Sequence, residues 1–343
     1  MAHDIQADPR LDPRIRAILA MIPSVPATDA VDRAQMLAEA QSPEGVAAAE
    51  AMRQMSELFD SEETAPSAGL RIHTESIRSA PDGNTISLQV IRPDTDETLA
   101  CIYYIHGGGM MSSSCFDGAY RAWGRFLAAR GVAVVMVDFR NCLTPSSAPE
   151  VEPYPAGLND CVSGFHWTVE HAADLGIDPS RIVIAGESGG GNLTLATGLS
   201  LLRSGRIDLV KGLYALCPYI SGSWPRPDLP SSSENDGIFI TVGSNRGALA
   251  YGIEAFDARD PLAWPLFATV EDVTGLPPTV INVNECDPLR DEGIAFYRLL
   301  LEAGVPARCR QQMGTAHASD LFTIICPDVS RDTAMDMVAF ARD

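Results

Sequence analysis

The chain of 343 residues lacks the features of a membrane or secreted protein. No apolar run reaches the roughly 18 residues that a transmembrane helix needs, so we expect no insertion into a membrane. The first 24 residues lack a basic segment followed by an unbroken apolar core, which is the pattern of a secretory signal. With 46% hydrophobic and 20% charged residues, the composition predicts a globular protein of the cytoplasm.

Basic residues are also scarce. Lys211 is the only lysine, and 25 Lys and Arg stand against 45 Asp and Glu, which gives a formal net charge of −20. A surface of this sign repels phosphate-rich partners, so we expect neither nucleic acid nor an anionic membrane surface as a partner. A small molecule is the expected partner, and a homodimer is a candidate assembly.

Motifs that would hold a metal or a nucleotide are absent from the sequence. None of the eight cysteines forms a C-x-x-C pair, and none has zinc-finger spacing with a histidine. Cys101 and Cys217 lie within apolar runs, where a thiol acts as a small buried hydrophobe. Neither G-x-G-x-x-G nor G-K-[ST] occurs at a strand-to-helix turn. We therefore expect reduced thiols, no metal and no cofactor.

Strand-like runs and amphipathic segments alternate along most of the chain. The eight strand-like runs are 70–77, 85–91, 99–105, 132–139, 181–186, 211–217, 278–284 and 306–312. Most are apolar throughout and are separated by helical patterns, as in a parallel sheet covered on both faces. The sequence predicts an α/β fold with an eight-stranded, mostly parallel sheet whose early strands are antiparallel at one edge.

Two further segments lie outside this alternation. The first 60 residues carry helical patterns at 28–40 and 42–59, and we expect Thr28 and Ser42 to cap these helices. Residues 218–262 are rich in Pro, Ser and Gly and then become helical. An insertion at this point would lie above the carboxyl ends of the strands, where open α/β sheets bind ligands.

The segment Gly186-Glu187-Ser188-Gly189-Gly190 matches G-x-S-x-G between an apolar strand and a helix. This is the setting of a nucleophile elbow, which presents a serine on a tight turn. A serine nucleophile needs a base and an orienting acid. His317 is the only histidine downstream of Ser188 and therefore the candidate base.

The acid should lie between the serine and the histidine in chain order. Asp287 comes just after an apolar strand and is the first candidate. Glu285 is the second choice because it lies even nearer the strand end. Asp291 and Glu292 are rivals, but they fit better in the first turn of the following helix, where carboxylates favour the helix dipole.

Three consecutive glycines follow the third strand, after His106. Fixing glycines is entropically unfavourable, so bare backbone N–H groups must be useful there. A phosphate site, a flexible turn and an oxyanion site are the alternatives. The oxyanion site is favoured because acyl transfer at Ser188 needs preorganised donors, each contributing about 3–4 kcal/mol to transition-state stabilisation. Met110 and Met111 then become candidates for the wall of an acyl pocket, together with Tyr219, Trp224 and Trp264.

Several stretches, spread from about residue 70 to the C-terminus, resemble the bacterial hormone-sensitive-lipase family (family IV) of α/β-hydrolase esterases. They are HGGG (106–109), VVMVDFRN (134–141), YPAGLNDC (154–161), GESGGGN (186–192), DPLRDEG (287–293) and His317. The stretches PYISG, LPSSSENDG, DPLAWPLFA and NECDPLRDEGIAF are similar to the brefeldin A esterase branch.

This resemblance implies an α/β-hydrolase fold and assigns roles to residues. Ser188, Asp287 and His317 would form the triad. Gly108, Gly109 and Gly189 would donate to the oxyanion, with His106 and Glu187 in support. It also implies a cap formed by residues 1–65 and 218–262 over a core of residues 66–217 and 263–343.

The sequence departs from the family pattern at three places. The family usually has Asp-Ser-Ala at the elbow, where this chain has Glu187-Ser188-Gly189. The segment 141–155 replaces a shorter family loop, and its role is open. His317 is followed by Ala318 rather than by the more common glycine.

A cofactor-free serine carboxylesterase acting on short- to medium-chain esters is the leading hypothesis. A hydrolase of bulky or cyclic, lactone-like esters is an alternative, suggested by the brefeldin-like stretches. A small-molecule receptor that has lost catalysis on the same fold is the alternative from another class, since fold alone does not define function. A true lipase is less expected because no long apolar lid is present.

Overall fold

The computed structural model describes residues 5–21 and 28–343. Residues 1–4 and 22–27 lie outside the described residues. The expectations about the amino-terminal signal pattern and about the cap segment 1–65 fall partly on them.

The eight expected strands form one mixed sheet. They are β1 (Leu70–Arg78), β2 (Thr85–Pro93), β3 (Leu99–Ile105), β4 (Ala133–Asp138), β5 (Ile177–Glu187), β6 (Gly212–Leu216), β7 (Thr279–Cys286) and β8 (Ala307–Ala316). Their spatial order is β1-β2-β4-β3-β5-β6-β7-β8. Of the seven strand pairs, β1–β2 and β2–β4 are antiparallel and the other five are parallel. The predicted fold class and the antiparallel edge are confirmed.

Twelve α-helices are present in the described part of the chain. They are α1 (Pro13–Leu19), α2 (Arg33–Gln41), α3 (Pro43–Glu57), α4 (Gly118–Ala128), α5 (Ala156–Glu170), α6 (Gly189–Arg203), α7 (Ser231–Glu234), α8 (Arg246–Tyr251), α9 (Ile253–Asp257), α10 (Val270–Val273), α11 (Arg290–Glu302) and α12 (Pro327–Arg342). Short 3-10 turns lie at Ile5–Ala7, Ile207–Leu209, Pro265–Phe267 and Ser319–Leu321.

One of the two expected helix caps is confirmed. The Ser42 hydroxyl accepts from the backbone N–H of Gly45 at 3.0 Å, at the start of α3. The Thr28 cap is wrong because α2 begins later, where the Asp32 carboxylate accepts from the backbone N–H of Gln35 at 2.8 Å. A carboxylate three residues before the donor satisfies one of the four free N–H groups at a helix start.

The sheet is covered by helices on both faces. Side chains alternate along β3, so that Tyr103 faces α5 while Tyr104 belongs to the opposite layer with α4 and α12. The Tyr103 ring meets Phe165 of α5 edge-on at 5.7 Å, and its hydroxyl donates to a carbonyl of the same helix. This period-two burial on both faces is why the strands are apolar throughout.

The amino-terminal helices pack on the 218–262 insertion. Asn245 donates to the carbonyl of Ala30 and accepts from its N–H, both at 2.9 Å. Arg246 at the start of α8 pairs with Glu39 of α2 at 2.7 Å. These contacts join two segments that are about 200 residues apart in sequence.

All eight cysteines are free thiols. Across residues 5–21 and 28–343, no helix combines the length and the hydropathy needed to cross a bilayer.

A buried ion pair holds the chain after β4. Asp160 on α5 is fully buried and accepts from Arg140 through the backbone N–H at 2.9 Å and Nε at 2.8 Å. Ser79 and Asn84, which flank the β1–β2 turn, donate to the same carboxylate at 2.6 and 3.1 Å. One carboxylate therefore connects three segments of the fold.

Replacing Asp160 by Ala should destabilise the fold by about 3 kcal/mol, because the Arg140 guanidinium loses its buried partner and keeps the partly exposed Asp82 as its ion-pair partner. Denaturant unfolding followed by circular dichroism measures the effect. Asp178→Ala is the matched control, since its ion pair with Arg181 is partly exposed and contributes less than about 1 kcal/mol. Equal losses in the two variants would contradict the role of Asp160.

Candidate active site

Strand register brings the candidate residues together at one edge of the sheet. Ile105 of β3 pairs with Gly186 of β5, so the glycine loop and the serine turn leave the sheet side by side. Cys286 of β7 pairs with Ala316 of β8, which makes the next residues, Asp287 and His317, neighbours. Parallel strands end at the same edge, and in open α/β sheets this edge carries the ligand site.

Asp287 and His317 form a buried hydrogen-bonded pair. The Nδ1 atom of His317 lies 2.8 Å from Oδ2 of Asp287. The other carboxylate oxygen accepts from the backbone N–H of Leu289 at 2.9 Å. Burial by itself lowers the pKa of His317, but the charges and hydrogen bonds of Asp287 and Cys217 together outweigh it and raise this pKa well above its ordinary value. Because Nδ1–H points at the Asp287 carboxylate, Nε2 carries the acceptor lone pair of the neutral ring.

The rival acids have other partners. The carboxylate of Glu285 accepts from the backbone N–H of Gly314 at 2.7 Å. Asp291 accepts from the backbone N–H of Ser231 at 2.7 Å and lies in the first turn of α11, as expected. Neither has a hydrogen bond to the histidine, so the structure favours the first candidate over the second.

Glu292, the remaining rival, fixes the start of the insertion. It is 1% exposed and accepts from the backbone N–H of Ile220 at 2.6 Å and from Nε1 of Trp224 at 2.6 Å. Burial raises the pKa of Glu292 to about 8, against the lowering effect of these donors. Its role is therefore to hold the segment that follows β6.

Ser188 stands on a strained turn between β5 and α6. Its backbone has φ +57° and ψ −120°, which a side-chain-bearing residue rarely adopts. The turn is held by the Ser188 N–H, which donates to the Leu216 carbonyl at 2.9 Å, and by the Ser188 carbonyl, which accepts from the Tyr219 N–H at 3.0 Å. Ser188 is partly exposed between buried neighbours, as an accessible nucleophile must be.

The glycine loop presents free donors. Gly108 and Gly109 have φ of +87° and +64°, and a Cβ on Gly108 would lie 2.3 Å from the Ser112 carbonyl oxygen. In the described ranges no acceptor faces the N–H of either glycine. Two unpaired donors on a left-handed turn form a concave site for negative charge.

Gly189 explains the departure from the family elbow. An ideal Cβ on this residue would lie 2.6 Å from the Met110 nitrogen and 2.7 Å from the Gly109 nitrogen. No real Cβ makes such contacts, so the glycine lets the two turns meet. This close approach places the backbone N–H groups of the serine turn and of the glycine loop side by side.

His106 supports the glycine loop from below. It is fully buried, and its ring stacks on Phe139 with centroids 4.3 Å apart. Nδ1 lies 3.0 Å from the Gly107 carbonyl, to which only a protonated nitrogen can donate. Burial lowers the pKa of His106, although Asp138, with Oδ1 3.6 Å from Nε2, opposes this.

Glu187 connects the elbow to the glycine loop through two tyrosines. Its carboxylate is 2% exposed and accepts from Tyr120 at 2.5 Å and from Tyr104 at 2.8 Å. The Tyr120 hydroxyl in turn accepts from the Gly107 N–H at 3.0 Å. Burial raises the pKa of Glu187 to about 7, with the tyrosine donors opposing it. Sequence reasoning missed both tyrosines, because no local motif marks them.

The two expected methionines differ in position. Met110 is 1% exposed and belongs to the core, with φ of +59°. Met111 is partly exposed, and its methyl group would lie 2.9 Å from a Cβ on Gly109. Met111 thus has its methyl group beside Gly109, whereas Met110 is buried in the core.

The expected aromatic residues form one cluster. Tyr219 stacks on Trp224 with centroids 4.5 Å apart. Trp264 is fully buried and meets both rings edge-on, at 5.6 and 6.2 Å. Because the Tyr219 N–H bonds the Ser188 carbonyl, this cluster begins directly beside the serine turn.

Comparisons with known proteins agree with this geometry. Residues 102–321 match a family described as alpha/beta hydrolase fold. Carboxylesterase NlhH of Mycobacterium tuberculosis is 32% identical over 253 residues, which cover 73% of this chain and 76% of that protein. Esterase Est22, a solved structure, is 60% identical in sequence. The match covers 100% of this chain and 99% of the Est22 chain, with a TM-score of 0.98. Est22 has also been solved with p-nitrophenol.

Brefeldin A esterase, described as a bacterial homologue of human hormone-sensitive lipase, is 38% identical. The match covers 98% of this chain and 94% of that one, with a TM-score of 0.86. The fold and the serine turn thus define an α/β hydrolase. The chain belongs to the hormone-sensitive-lipase branch (family IV) of that family.

Replacing Gly189 by Ala should lower kcat by about 10²–10³-fold, because the added Cβ pushes the glycine loop away from the serine turn. Steady-state hydrolysis of p-nitrophenyl acetate measures this, with thermal unfolding to confirm the fold. Gly243→Ala is the control, since its Cβ would meet nothing nearer than an Asp236 oxygen at 3.5 Å. An unchanged kcat in Gly189→Ala would refute the close-approach argument.

Proposed function

We propose that the chain is a cofactor-free serine carboxylesterase in which Ser188 is the nucleophile, His317 the base and Asp287 the orienting acid. The observation that carries this proposal is the 2.8 Å contact between His317 Nδ1 and Asp287 Oδ2 beside a strained serine turn. The esterase names of its relatives support the same reaction. The chain is a carboxylic ester hydrolase.

The reaction follows from these positions. Ser188 Oγ attacks the ester carbonyl as His317 Nε2 takes its proton, and Asp287 stabilises the resulting imidazolium. The tetrahedral oxyanion is met by the N–H groups of Gly108, Gly109 and Gly189. The alcohol then leaves with the proton from His317. Water, activated by the same base, releases the carboxylic acid from the acyl-enzyme.

His106 and Glu187 act on this reaction through the backbone. His106 holds the Gly107 carbonyl, and Tyr120, which is bonded to Glu187, holds the Gly107 N–H. Because both the N–H and the carbonyl of Gly107 are held, the donors that follow it stay in place before the oxyanion forms. Such preorganisation is the largest contribution that a site of this kind makes to catalysis.

We place the substrate between the glycine loop and a cap. The reciprocal bonds between Asn245 and Ala30 support a cap made from residues 1–65 and 218–262, over a core of 66–217 and 263–343. Met111, beside Gly109, and the aromatic cluster that begins at Tyr219 are the proposed walls of the acyl pocket, and short- to medium-chain esters are the proposed substrates. Free thiols favour the cytoplasm, and a homodimer remains the candidate assembly.

Replacing Ser188 by Ala should reduce kcat for p-nitrophenyl acetate roughly 10⁴–10⁶-fold, because the acyl-enzyme no longer forms. Ser200→Ala, on the same helix, is the matched control and should keep full activity. In the wild type, an organophosphate should add once, at Ser188, as seen by peptide mass. A receptor that has lost catalysis would bind ligand without hydrolysis and without this adduct.

A series of p-nitrophenyl esters from acetate to dodecanoate should show the highest kcat/KM at short or medium length. Each added methylene contributes about 0.8 kcal/mol while it is buried, and none once the pocket is filled. Initial rates at matched substrate concentrations give the profile. A maximum at dodecanoate would contradict the size limit, and hydrolysis of lactones but not of linear esters would support the bulky-ester alternative.

A further inference from the structure

A buried cysteine lies beside the acid–base pair. Cys217 follows β6, and its N–H donates to the Asn282 carbonyl of β7 at 2.7 Å. Leu216 pairs with Glu187, so Cys217 is the neighbour of Ser188 across the sheet edge. Its thiol is fully buried, and the proposed hydrolysis makes no use of it.

The thiol forms a compact group with two residues of the proposed triad. Three ligand atoms lie within 4.8 Å of one another: the Cys217 sulfur, a carboxylate oxygen of Asp287 and a ring nitrogen of His317. Within residues 5–21 and 28–343, this is the only set of three or more His, Cys, Asp and Glu side chains that meets such a limit. All three are buried, so their positions are fixed by the core.

The donor set matches a borderline-soft divalent cation. Thiolate sulfur, imidazole nitrogen and carboxylate oxygen are the three ligand types of Zn²⁺, and thiolate also favours Cd²⁺. A doubly charged cation is balanced by one thiolate and one carboxylate, with neutral imidazole as the third ligand. The buried site would therefore carry no net charge, which keeps the desolvation penalty low.

The imidazole and carboxylate ligands need only a small adjustment, and the Cys217 sulfur, which lies within 4.8 Å of both, must approach to a similar distance. Two ligands on a tetrahedral zinc lie roughly 3.3 Å apart, given Zn–N and Zn–O distances near 2.0–2.1 Å. The present Nδ1 to Oδ2 distance is 2.8 Å, so a shift of about 0.5 Å makes room when the cation replaces the proton between them. The Nδ1 proton and the Cys217 thiol proton are released to solvent.

We propose that Cys217, Asp287 and His317 form a binding site for Zn²⁺ or Cd²⁺, and that the bound cation blocks ester hydrolysis. The cation is an inhibitor here and not a cofactor. It takes the Asp287 carboxylate away from the imidazole, and its positive charge on Nδ1 disfavours a proton on Nε2, the nitrogen that must accept the serine proton. The binding part rests on the three side chains alone, and the inhibition also rests on the proposed function.

Metal binding is tested without turnover in Ser188→Ala. CdCl₂ titrated into this variant should produce the ultraviolet absorption band of a cadmium–thiolate bond with one equivalent bound. The band should be absent in Ser188→Ala/Cys217→Ser and present in Ser188→Ala/Cys161→Ser, which changes an equally buried cysteine on α5. No band in Ser188→Ala, or an equal band without Cys217, would overturn the site.

Inhibition is measured in otherwise wild-type protein, relative to each variant's own activity. Cd²⁺ or Zn²⁺ should inhibit hydrolysis of p-nitrophenyl acetate, and EDTA should restore it. Cys217→Ser and Cys217→Ala should need at least about tenfold more metal for half-inhibition, whereas Cys161→Ser should not. Equal sensitivity in all variants would overturn the proposal. If Ser188→Ala stayed active, the proposed function would be wrong. The cadmium band would still test the metal site, because that measurement needs no turnover.

A further measurement needs no cysteine variant. Zinc X-ray absorption of the one-to-one complex should show one sulfur at about 2.3 Å with nitrogen and oxygen at about 2.0–2.1 Å. A shell of nitrogen and oxygen alone would overturn the assignment. This result does not depend on whether a Cys217 variant folds.

Discussion

The parallel pairing of β3, β5, β6, β7 and β8 is the constraint on which the site depends. It sends five loops out of the same edge of the sheet, in an order set by hydrogen-bond register. The Cys286–Ala316 pair alone makes Asp287 and His317 adjacent, although 30 residues separate them. A slip of one residue would turn their side chains to opposite faces, so the apolar layers that fix the register also fix the acid–base pair.

Buried charge is concentrated around this edge. Asp287 and Glu292 each satisfy backbone N–H groups, and Glu187 accepts from two tyrosines. Burial raises the pKa of Glu187 to about 7 and that of Glu292 to about 8. Each carboxyl group therefore keeps its proton up to a pH well above that at which an exposed glutamate loses it. These carboxyl groups position loops, while His317, with the Asp287 charge beside it, is the proposed base.

Much of this arrangement could be predicted from residue patterns. Eight apolar runs gave eight strands, because strands buried on both faces must be apolar throughout. The boundaries were less accurate. β5 begins at Ile177 rather than 181, since a register shift opposite Leu99 admits the polar residues before Ile182. The Thr28 cap was wrong for a different reason: the Asp32 carboxylate, which lies directly before α2, accepts from the first turn instead.

The sequence by itself determined the fold class, the serine turn and the glycine loop, because each is written in local spacing, and it supplied one candidate order for the proposed nucleophile, acid and base. Only the tertiary structure decided that Asp287 rather than Glu285 faces His317, and that Met110 is buried in the core while the Met111 methyl group lies beside Gly109. It alone brought the two tyrosines to Glu187 and Cys217 to the acid–base pair. These contacts join residues far apart in the chain, and strand register and core packing, which no local pattern encodes, select them.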